Sequence, residues 1–352
     1  MQKPDFTDVN TTFDYMCDML LDFVPEFDLK VKAELVVEIT ALKKEENAVI
    51  LGHNYMEPAL FHTVPDFTGD SLQLARYGAK TSANKIVFCG VEFMAETAKI
   101  LSPEKMVLIP SQKAGCSLAS SITGADVRKL KSLYPGVPVV SYVNTYADVK
   151  AETDVCCTSS NAAEVVNSLP DSSVIFIPDM YLADNVSRET GKRLIVPKKL
   201  GNSVQCEPVD EPSLITWPGY CEVHDKFTVK DVEDVRKQFP DVRILAHPEC
   251  KAEVCEAADF SGSTAAMIDY VKTKEAPRFM LLTECSMGDN IIAENKDKEL
   301  LRLCSHRCPH MAQITLEMTR DALKHHKYEV NLETDVMNKA RGSLERMIEI
   351  GR

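Results

Sequence analysis

A histidine and an acidic residue follow a short apolar run in the second half of the chain. The run Val242–Ala246 is typical of a buried strand, and the segment His247-Pro248-Glu249 ends it, because proline cannot donate a ladder hydrogen bond. Thr264 follows His247 by 17 residues and, with Ser263, provides hydroxyl groups at a predicted helix start. Strand ends and helix starts face the ligand crevice of an α/β sheet, so this stretch predicts a binding site.

The same succession of strand, polar strand end, hydroxyl cap and helix occurs twice more. Ser71 lies 18 residues after His53, and Ser159 lies 17 residues after Tyr142. A triplicated unit would explain this spacing, although any βαβ unit of about 30 residues produces similar intervals. We predict three repeats whose strand ends share one central site. The strand-end segments of the first two repeats are His53-Asn54-Tyr55 and Tyr142-Val143-Asn144.

Three cysteines differ from the others because turn-forming residues surround them. Cys116 follows a glycine, Cys221 follows Pro218-Gly219-Tyr220, and Cys308 precedes a proline. A site using all three would take one thiolate from each third of the chain and would form only on folding. Three soft ligands without a nearby fourth fit an iron–sulfur cluster that leaves one iron open.

Other cysteine sets are alternatives at this level. Cys285 with the Cys304–Cys308 pair, or Cys250 with Cys255, could hold zinc, although neither has the paired Cys-x-x-Cys knuckles of structural zinc sites. A radical S-adenosylmethionine motif would require a cysteine where Met311 stands.

Composition limits the class of protein. The chain has 352 residues, 45% of them hydrophobic, which is enough for several cores. Its 40 basic and 53 acidic residues give a net charge of −13 without a basic stripe, so we expect no nucleic-acid partner. No apolar run is long enough for a bilayer and no signal segment is present, so we expect a cytoplasmic protein with reduced cysteines. Cys89 and the Cys156-Cys157 pair are predicted to be core residues.

Five segments are predicted along the chain. An N-terminal helical wrap covers residues 1–35, and the three repeats cover 36–130, 131–215 and 216–312. The remaining residues, 313–352, are predicted to form helices that pack back on the first repeat.

Seven short motifs occur in one order along the chain. They are Gly52–Tyr55, Thr68–Ala75, Phe88–Thr97, Tyr142–Asn144, Cys221–His224, His247–Cys250 and Gly262–Thr264. Together they closely resemble the quinolinate synthase family, over about residues 35 to 350. Met56 departs from the glutamine of many relatives, and residues 197–218, with Trp217 and Cys206, look like an insertion.

The resemblance implies a fold, a cofactor and a reaction. The fold would be α/β, with three similar three-layer α/β/α domains, each with a short parallel sheet, in a pseudo-threefold triangle around a central site. The cofactor would be a [4Fe-4S] cluster held by Cys116, Cys221 and Cys308. The reaction, a transferase-type condensation in NAD biosynthesis, would join iminoaspartate and dihydroxyacetone phosphate into quinolinate, with loss of phosphate and two waters.

The resemblance and the chemistry of the side chains together predict roles. His53 and His247 would donate to carboxylate or phosphate oxygens and shuttle protons. Glu249 would be the general base, provided that burial raises its pKa. Tyr55 and Tyr142 complete the predicted catalytic set. The predicted substrate-binding set is His53, Ser71, Tyr142, Val143, Asn144, Ser159, His224, His247, Pro248, Glu249, Ser263 and Thr264.

Two further roles concern charge. Helix starts near Ser71, Ser159 and Ser263 would aim unpaired N–H groups at the anionic substrates. His224 is expected to donate a hydrogen bond to phosphate or to contact a metal ligand, rather than to be an iron ligand itself. The remaining histidines are expected to be solvated or helix-end residues: His62, His306, His310, His325 and His326.

Three rival classes differ in observable ways. Another iron–sulfur hydro-lyase would act on a hydroxy acid without a triose phosphate. A redox sensor or electron carrier would usually close its cluster with a fourth protein ligand, and a metal-free binding module would contain no iron. If the chain catalyses the quinolinate synthase reaction, we also expect a transient contact with the enzyme that produces unstable iminoaspartate.

Overall fold

The computed structural model describes residues 3–200, 203–205, 208–209, 211–301 and 306–350. They form two compact units. One contains Met1–Gly115 and Ile268–Asn331, and the other contains Cys116–Met267 and Leu332–Arg352. Among the described residues, no helix combines the length and the apolar character that a bilayer crossing requires.

Helices and strands alternate along most of the chain. The helices are α1 (Val9–Leu20), α2 (Glu26–Glu45), α3 (Pro58–Phe61), α4 (Ser71–Lys80), α5 (Glu92–Leu101), α6 (Gly124–Leu133), α7 (Ala147–Lys150), α8 (Ala162–Ser168), α9 (Met180–Thr190), α10 (Val229–Gln238), α11 (Ala252–Ala257), α12 (Thr264–Thr273), α13 (Cys285–Glu294), α14 (Leu316–His325) and α15 (Thr334–Glu349). The strands are β1 (Ala48–His53), β2 (Phe67–Gly69), β3 (Lys85–Cys89), β4 (Met106–Leu108), β5 (Val139–Tyr142), β6 (Val155–Cys157), β7 (Val174–Ile177), β8 (Arg193–Ile195), β9 (Lys198–Leu200), β10 (Ser203–Gln205), β11 (Ser213–Thr216), β12 (Val242–Ala246), β13 (Phe260–Ser261), β14 (Arg278–Leu282) and β15 (Glu299–Leu301).

Three short parallel sheets organise these elements, which confirms the predicted α/β class. The first sheet has the strand order β2-β1-β3-β4, and the second has β6-β5-β7-β11-β8. The third sheet has four strands, in which β12 pairs with β13 and β14 with β15, again in parallel. Each sheet is flanked by helices, and its strands are largely buried on both faces, as parallel sheets require.

A contact between an aspartate and a strand N–H recurs in all three repeats. Just before the second strand of each repeat, an aspartate Oδ2 accepts a hydrogen bond from a backbone N–H near the start of the first strand. The donor and acceptor residues, each pair 2.8 Å apart, are Ile50 and Asp66, Val139 and Asp154, and Ile244 and Asp259. His53, Tyr142 and His247 each lie three residues after the donor of their repeat. The strand ends are therefore equivalent positions of a repeated unit.

Part of the segment that looked like an insertion belongs to the second sheet. β11 lies between β7 and β8, while β9 and β10 form an antiparallel pair. Trp217 follows β11 and is 2% exposed, within a core cluster that includes Ile175 and Ile215. Cys206, predicted to lie in the insertion, is outside the described residues.

The two final helices remain with different units. α14 packs against α2, and the Cys89 thiol lies 3.6 Å from the Thr319 hydroxyl. α15 packs against β6 and α7, where the Asn161 amide donates to the Met347 carbonyl oxygen at 3.2 Å. The predicted boundaries of the five segments stay a prediction.

Candidate active site

The Glu249 carboxylate, at a strand end of the second unit, lies within 4.0 Å of four polar side chains. Its Oε1 accepts hydrogen bonds from the Tyr142 hydroxyl at 2.6 Å and from the Asn144 amide at 3.1 Å. Its Oε2 lies 2.7 Å from Nδ1 of His224 and 4.0 Å from Nδ1 of His247. Glu249 is 3% exposed. Five residues predicted from the sequence as site residues are therefore brought together here.

The pKa of Glu249 moves opposite to the predicted direction. Burial raises the pKa of this carboxyl, but the charge and hydrogen bond of His224, the charge of His247 and the Tyr142 hydroxyl outweigh burial and lower it to about 2. The condition attached to the predicted general-base role, a raised pKa, is therefore not met, because the sequence could not show how many donors would surround the carboxylate. Glu249 is thus held as an anion in a buried place.

His247 is fixed at its strand end by its own backbone and by a neighbouring ring. Its Nδ1 accepts from the Glu249 N–H at 3.3 Å, and its Nε2 lies 3.3 Å from the Ser159 hydroxyl. The His224 and His247 rings stack with their centroids 4.7 Å apart. The predicted residues Ser159, His224 and His247 therefore form one group with Glu249.

The corresponding strand end of the first unit has a similar local geometry. Nδ1 of His53 accepts from the Tyr55 N–H at 3.2 Å, and the two rings meet edge to face. The Tyr55 hydroxyl lies 2.6 Å from the hydroxyl of Thr283, which follows β14. The buried Asn290 amide donates to the carbonyl oxygens of Asn54 and Met56, at 3.1 and 2.9 Å. This loop is therefore rigidly held within its unit.

Two of the three predicted hydroxyl caps are wrong. Asp70, not Ser71, caps α4, in a capping box with Gln73. Its carboxylate already takes one N–H of the first turn, which reduces what this helix could offer to an anion. Asn161 occupies the cap position of α8, two residues after Ser159.

The third predicted cap is present. The Ser263 hydroxyl accepts from the Ala266 N–H at 3.3 Å, directly before Thr264 opens α12. Both Ser263 and Thr264 are 4% exposed. A short polar residue that precedes a helical run signals a cap, but several neighbouring candidates compete for the position, and only the backbone path decides between them.

Two predicted site residues contribute backbone groups to the structure. The Val143 N–H donates to the Cys157 carbonyl oxygen at 2.8 Å, and the Pro248 carbonyl oxygen accepts from the Asn185 amide at 2.8 Å. These bonds hold the two strand-end loops in place within the second unit.

Cys116 and Cys221 lie on two loops of the second unit that dock on each other. The Trp217 indole N–H, four residues before Cys221, donates to the Ser121 carbonyl oxygen at 2.9 Å. A Cβ at Gly219 would lie 2.6 Å from the Ser121 hydroxyl oxygen and 2.6 Å from the Pro178 carbonyl oxygen, so only glycine fits there. Burial and the charge of Glu249 raise the pKa of the Cys221 thiol, and Cys116 adds to this increase.

Cys308 belongs to the first unit, where a buried carboxyl supports its loop. The Glu284 carboxyl accepts from the Cys308 N–H at 3.4 Å and from the Ser286 N–H at 2.7 Å, at the start of α13. Burial raises the pKa of Glu284 to about 7, against the lowering effect of these N–H groups. Sequence reasoning missed Glu284, although an acidic residue two positions past a buried strand is a usable signal.

Asp179 is a second residue that the sequence analysis missed. It is fully buried at the start of α9, and its Oδ1 accepts from the N–H groups of Tyr181 and Leu182. Its Oδ2 has no hydrogen-bond partner among the described residues. Burial, and then the charge of Glu249, raise the pKa of Asp179 well above its ordinary value, which favours the neutral form of this carboxyl.

The donor set fits the cluster that the resemblance implies. Cys116, Cys221 and Cys308 are all partly exposed thiols on loops, and the ten described cysteines form no disulfide. By contrast, Cys89, Cys156 and Cys157 are buried, and burial raises the pKa of each thiol, as expected for core residues. Cys304, part of one alternative zinc set, lies outside the described residues.

The fold and the site define a three-repeat α/β protein with a buried carboxylate–imidazole centre beside a pair of thiols. The family model of the quinolinate synthetase A protein matches residues 37–349. The chain therefore belongs to the quinolinate synthetase A family, as the motifs predicted.

Individual relatives are similar over nearly the whole chain. The quinolinate synthase of Caulobacter vibrioides (strain NA1000 / CB15N) is 52% identical over 331 residues, covering 93% of this chain and 84% of its own. The quinolinate synthase of Sinorhizobium fredii is 50% identical over 336 residues, covering 96% and 88%. Quinolinate synthase 2 of Mesorhizobium japonicum is 47% identical over 336 residues, covering 96% and 97%.

Proposed function

We propose that this protein is a quinolinate synthase that condenses iminoaspartate with dihydroxyacetone phosphate and releases phosphate and two waters. The reaction would serve NAD biosynthesis in the cytoplasm. The observation that carries the proposal is the buried Glu249 carboxylate, which Tyr142, Asn144 and His224 hold in one orientation. The similarity to proteins named quinolinate synthase supports it.

Glu249 suits the proton-transfer steps that such a condensation requires. Isomerisation and loss of water both need a base that removes a proton from carbon. A carboxylate whose pKa is lowered is a weak base in water, but it is buried and already ionised, so no proton must be removed from it before substrate binds. Burial and the charge of Glu249 raise the pKa of the Asp179 carboxyl, which disfavours a second negative charge close to this anion.

The histidines supply donors where the substrates carry negative charge. Nε2 of His247 and the Ser159 hydroxyl form a pair of polar groups at one strand end. His53 and Tyr55 provide an imidazole and a phenol at the equivalent strand end of the first unit. Because the chain has a net charge of −13, the dicarboxylate and phosphate groups need such local donors.

Cys116, Cys221 and Cys308 would hold a [4Fe-4S] cluster. When bound, the cluster supplies a Lewis-acidic iron that polarises an oxygen or nitrogen of the substrate. The protein's part is to fix the loops: Trp217 and Gly219 set the position of the Cys221 loop against the Cys116 loop.

One assay tests the function. Protein purified without oxygen is incubated with freshly generated iminoaspartate and dihydroxyacetone phosphate, and quinolinate and phosphate are measured together. We expect one phosphate per quinolinate, and neither product when either substrate is omitted. An iron-loaded protein that makes no quinolinate, but dehydrates a hydroxy acid, would overturn the proposal in favour of a different hydro-lyase.

The same preparation tests the remaining proposals. Omitting the iminoaspartate-producing enzyme and supplying its product chemically shows whether a transient contact between the two enzymes raises the rate. Single substitutions of the three cysteines should each lower the iron and sulfide content, whereas an iron-free, colourless wild-type protein would support a metal-free binding module.

A further inference from the structure

Three side chains of the second unit form a compact group of metal-ligating atoms. The Cys221 Sγ, a ring nitrogen of His224 and a carboxylate oxygen of Glu249 all lie within 4.8 Å of one another. His224 and Glu249 are 2% and 3% exposed. Among the described residues, Cys116 lies outside this group of three.

We propose that Cys221, His224 and Glu249 form a binding site for a single zinc-class divalent cation in protein that holds no iron–sulfur cluster. One thiolate, one imidazole and one carboxylate are the ligand types that zinc prefers, and three protein ligands leave a fourth position for water. A tetrahedral zinc site separates its ligand atoms by roughly 3–4 Å, so small side-chain movements bring these atoms to the required distances.

The backbone holds two of the ligands in one turn. The Asp225 N–H donates to the Cys221 carbonyl oxygen at 3.0 Å, and the short 3-10 helix His224–Lys226 follows at once. Cys221 and His224 are thus carried by the same tight turn, and a metal ion would find them already close. The third ligand, Glu249, comes from the strand end after β12.

The two oxygens of Glu249 have different partners, and a cation bound at Oε2 would replace its 2.7 Å contact with Nδ1 of His224. Tyr142 and Asn144 both donate to Oε1, while Oε2 faces His224. Donors on the outer oxygen orient a carboxylate for metal binding by the inner one, which is the usual arrangement behind a metal ligand. A divalent cation would also neutralise the buried Glu249 carboxylate and the Cys221 thiolate together.

The site would compete with the cluster because both need Cys221. The cation site rests on the geometry of these three residues alone, and only this competition rests on the proposed function. A cation bound here would block cluster insertion, so metal-free protein would need protection from zinc before it is loaded.

Cobalt is the probe that tests the site. Reduced protein is freed of metal with a chelator, without oxygen, and is titrated with Co²⁺, whose tetrahedral sites give intense visible bands and an ultraviolet thiolate-to-cobalt band. We expect one Co²⁺ per chain with both features, and Zn²⁺ should displace it. In Cys221→Ser the thiolate band should disappear, and Glu249→Gln should weaken binding at least tenfold.

Two matched cysteine variants distinguish this site from its neighbours. Cys255→Ser changes a half-buried thiol outside the group, and Cys308→Ser changes a proposed cluster ligand of the first unit; both should bind Co²⁺ as the wild type does. Circular dichroism of each metal-free variant shows that it is folded. A thiolate band that survives in folded Cys221→Ser, or that Cys308→Ser removes as completely, would overturn the proposal.

Cluster loading gives the second readout. Wild-type protein preincubated with one equivalent of Zn²⁺ should take up iron and sulfide more slowly than untreated protein, and chelation should restore the rate. Failure here with an intact cobalt spectrum would overturn the competition alone. An active, iron-loaded enzyme with no cobalt spectrum would overturn the cation site and leave the proposed function standing.

Discussion

The hydroxyl of Tyr142 lies 2.6 Å from Oε1 of Glu249, although the two residues are 107 positions apart in the sequence. The bond joins the strand end after β5 to the strand end after β12, within the second unit. The bond helps to orient the carboxylate and, after the larger effects of His224 and His247, helps to lower its pKa. Three of the following predictions concern this centre and the loop beside it.

Glu249→Gln is expected to keep the proposed iron–sulfur cluster and to lose most of the catalytic activity. The amide preserves the shape and can still accept from Tyr142, but it cannot take a proton, so kcat should fall about 10²–10⁴-fold. Iron and sulfide per chain should equal those of the wild type. Turnover at the wild-type rate would remove Glu249 from the mechanism.

Tyr142→Phe is expected to have a smaller effect of the same kind. The variant removes one hydrogen bond to a charged oxygen while Asn144 and His224 remain in place. A bond of this type contributes about 1.5–3 kcal/mol, so kcat/KM should fall roughly 10- to 100-fold. A matched control is Tyr181→Phe, which removes a hydroxyl bonded to Asp225 instead. Equal losses in both variants would show that the effect is general and not specific to Glu249.

Gly219→Ala is expected to damage the loop that carries Cys221. The new methyl group would lie 2.6 Å from two oxygen atoms, and one of them is the Pro178 backbone carbonyl, so the loop must move. We expect a loss of about 1–3 kcal/mol in the free energy of unfolding, measured by anaerobic urea denaturation, and a lower iron content.

Gly342→Ala is the control for that prediction. Gly342 is an exposed helical position of α15 with open space around its Cβ position, so alanine should stabilise the protein by about 0.5–1 kcal/mol. If Gly219→Ala proved as stable as the wild type, the close docking of the two loops would be contradicted.

His62 is expected to make stability depend on pH. Burial lowers its pKa to about 4, against the raising effect of Glu294, so the ring is neutral in the folded state while the unfolded chain takes up a proton near pH 6.5. Its contribution is present above pH 6.5 and is lost as pH falls towards 4; between pH 8 and pH 5 the loss should be about 2 kcal/mol. Urea denaturation of wild type and His62→Gln at both pH values isolates this contribution. Parallel pH profiles would contradict it.

The elements of the fold could be read largely from the sequence. Apolar runs such as Val174–Ile177 and Val242–Ala246 match β7 and β12, because a strand buried on both faces must be continuously apolar. The prediction that His62 is a solvated or helix-end residue places it correctly at the end of α3 but not in solvent, since it is 5% exposed. Polar residues in a short connection carry no periodic signal that reveals burial.

The site was predicted less completely than the fold, for an identifiable reason. The residues Tyr142, Asn144, His247 and Glu249 follow from strand ends, but their mutual distances depend on how the loops turn. The role of Glu249 as a base was tied to a raised pKa, but the pKa is lowered, because it depends on those distances. The aspartate contacts of the repeats, such as Ile50 with Asp66, were missed although an aspartate at an interval of 15 or 16 residues was visible in the sequence.

Counting onward from those aspartate contacts gives the three repeats a common numbering. Five residues after Ile50, Val139 and Ile244 stand Tyr55, Asn144 and Glu249, a phenol, an amide and a carboxylate at one backbone location. Gene triplication would first have produced a symmetric ancestor with identical groups at that location. Under the proposed function, these unlike groups would allow a single polypeptide to bind two dissimilar substrates in different ways.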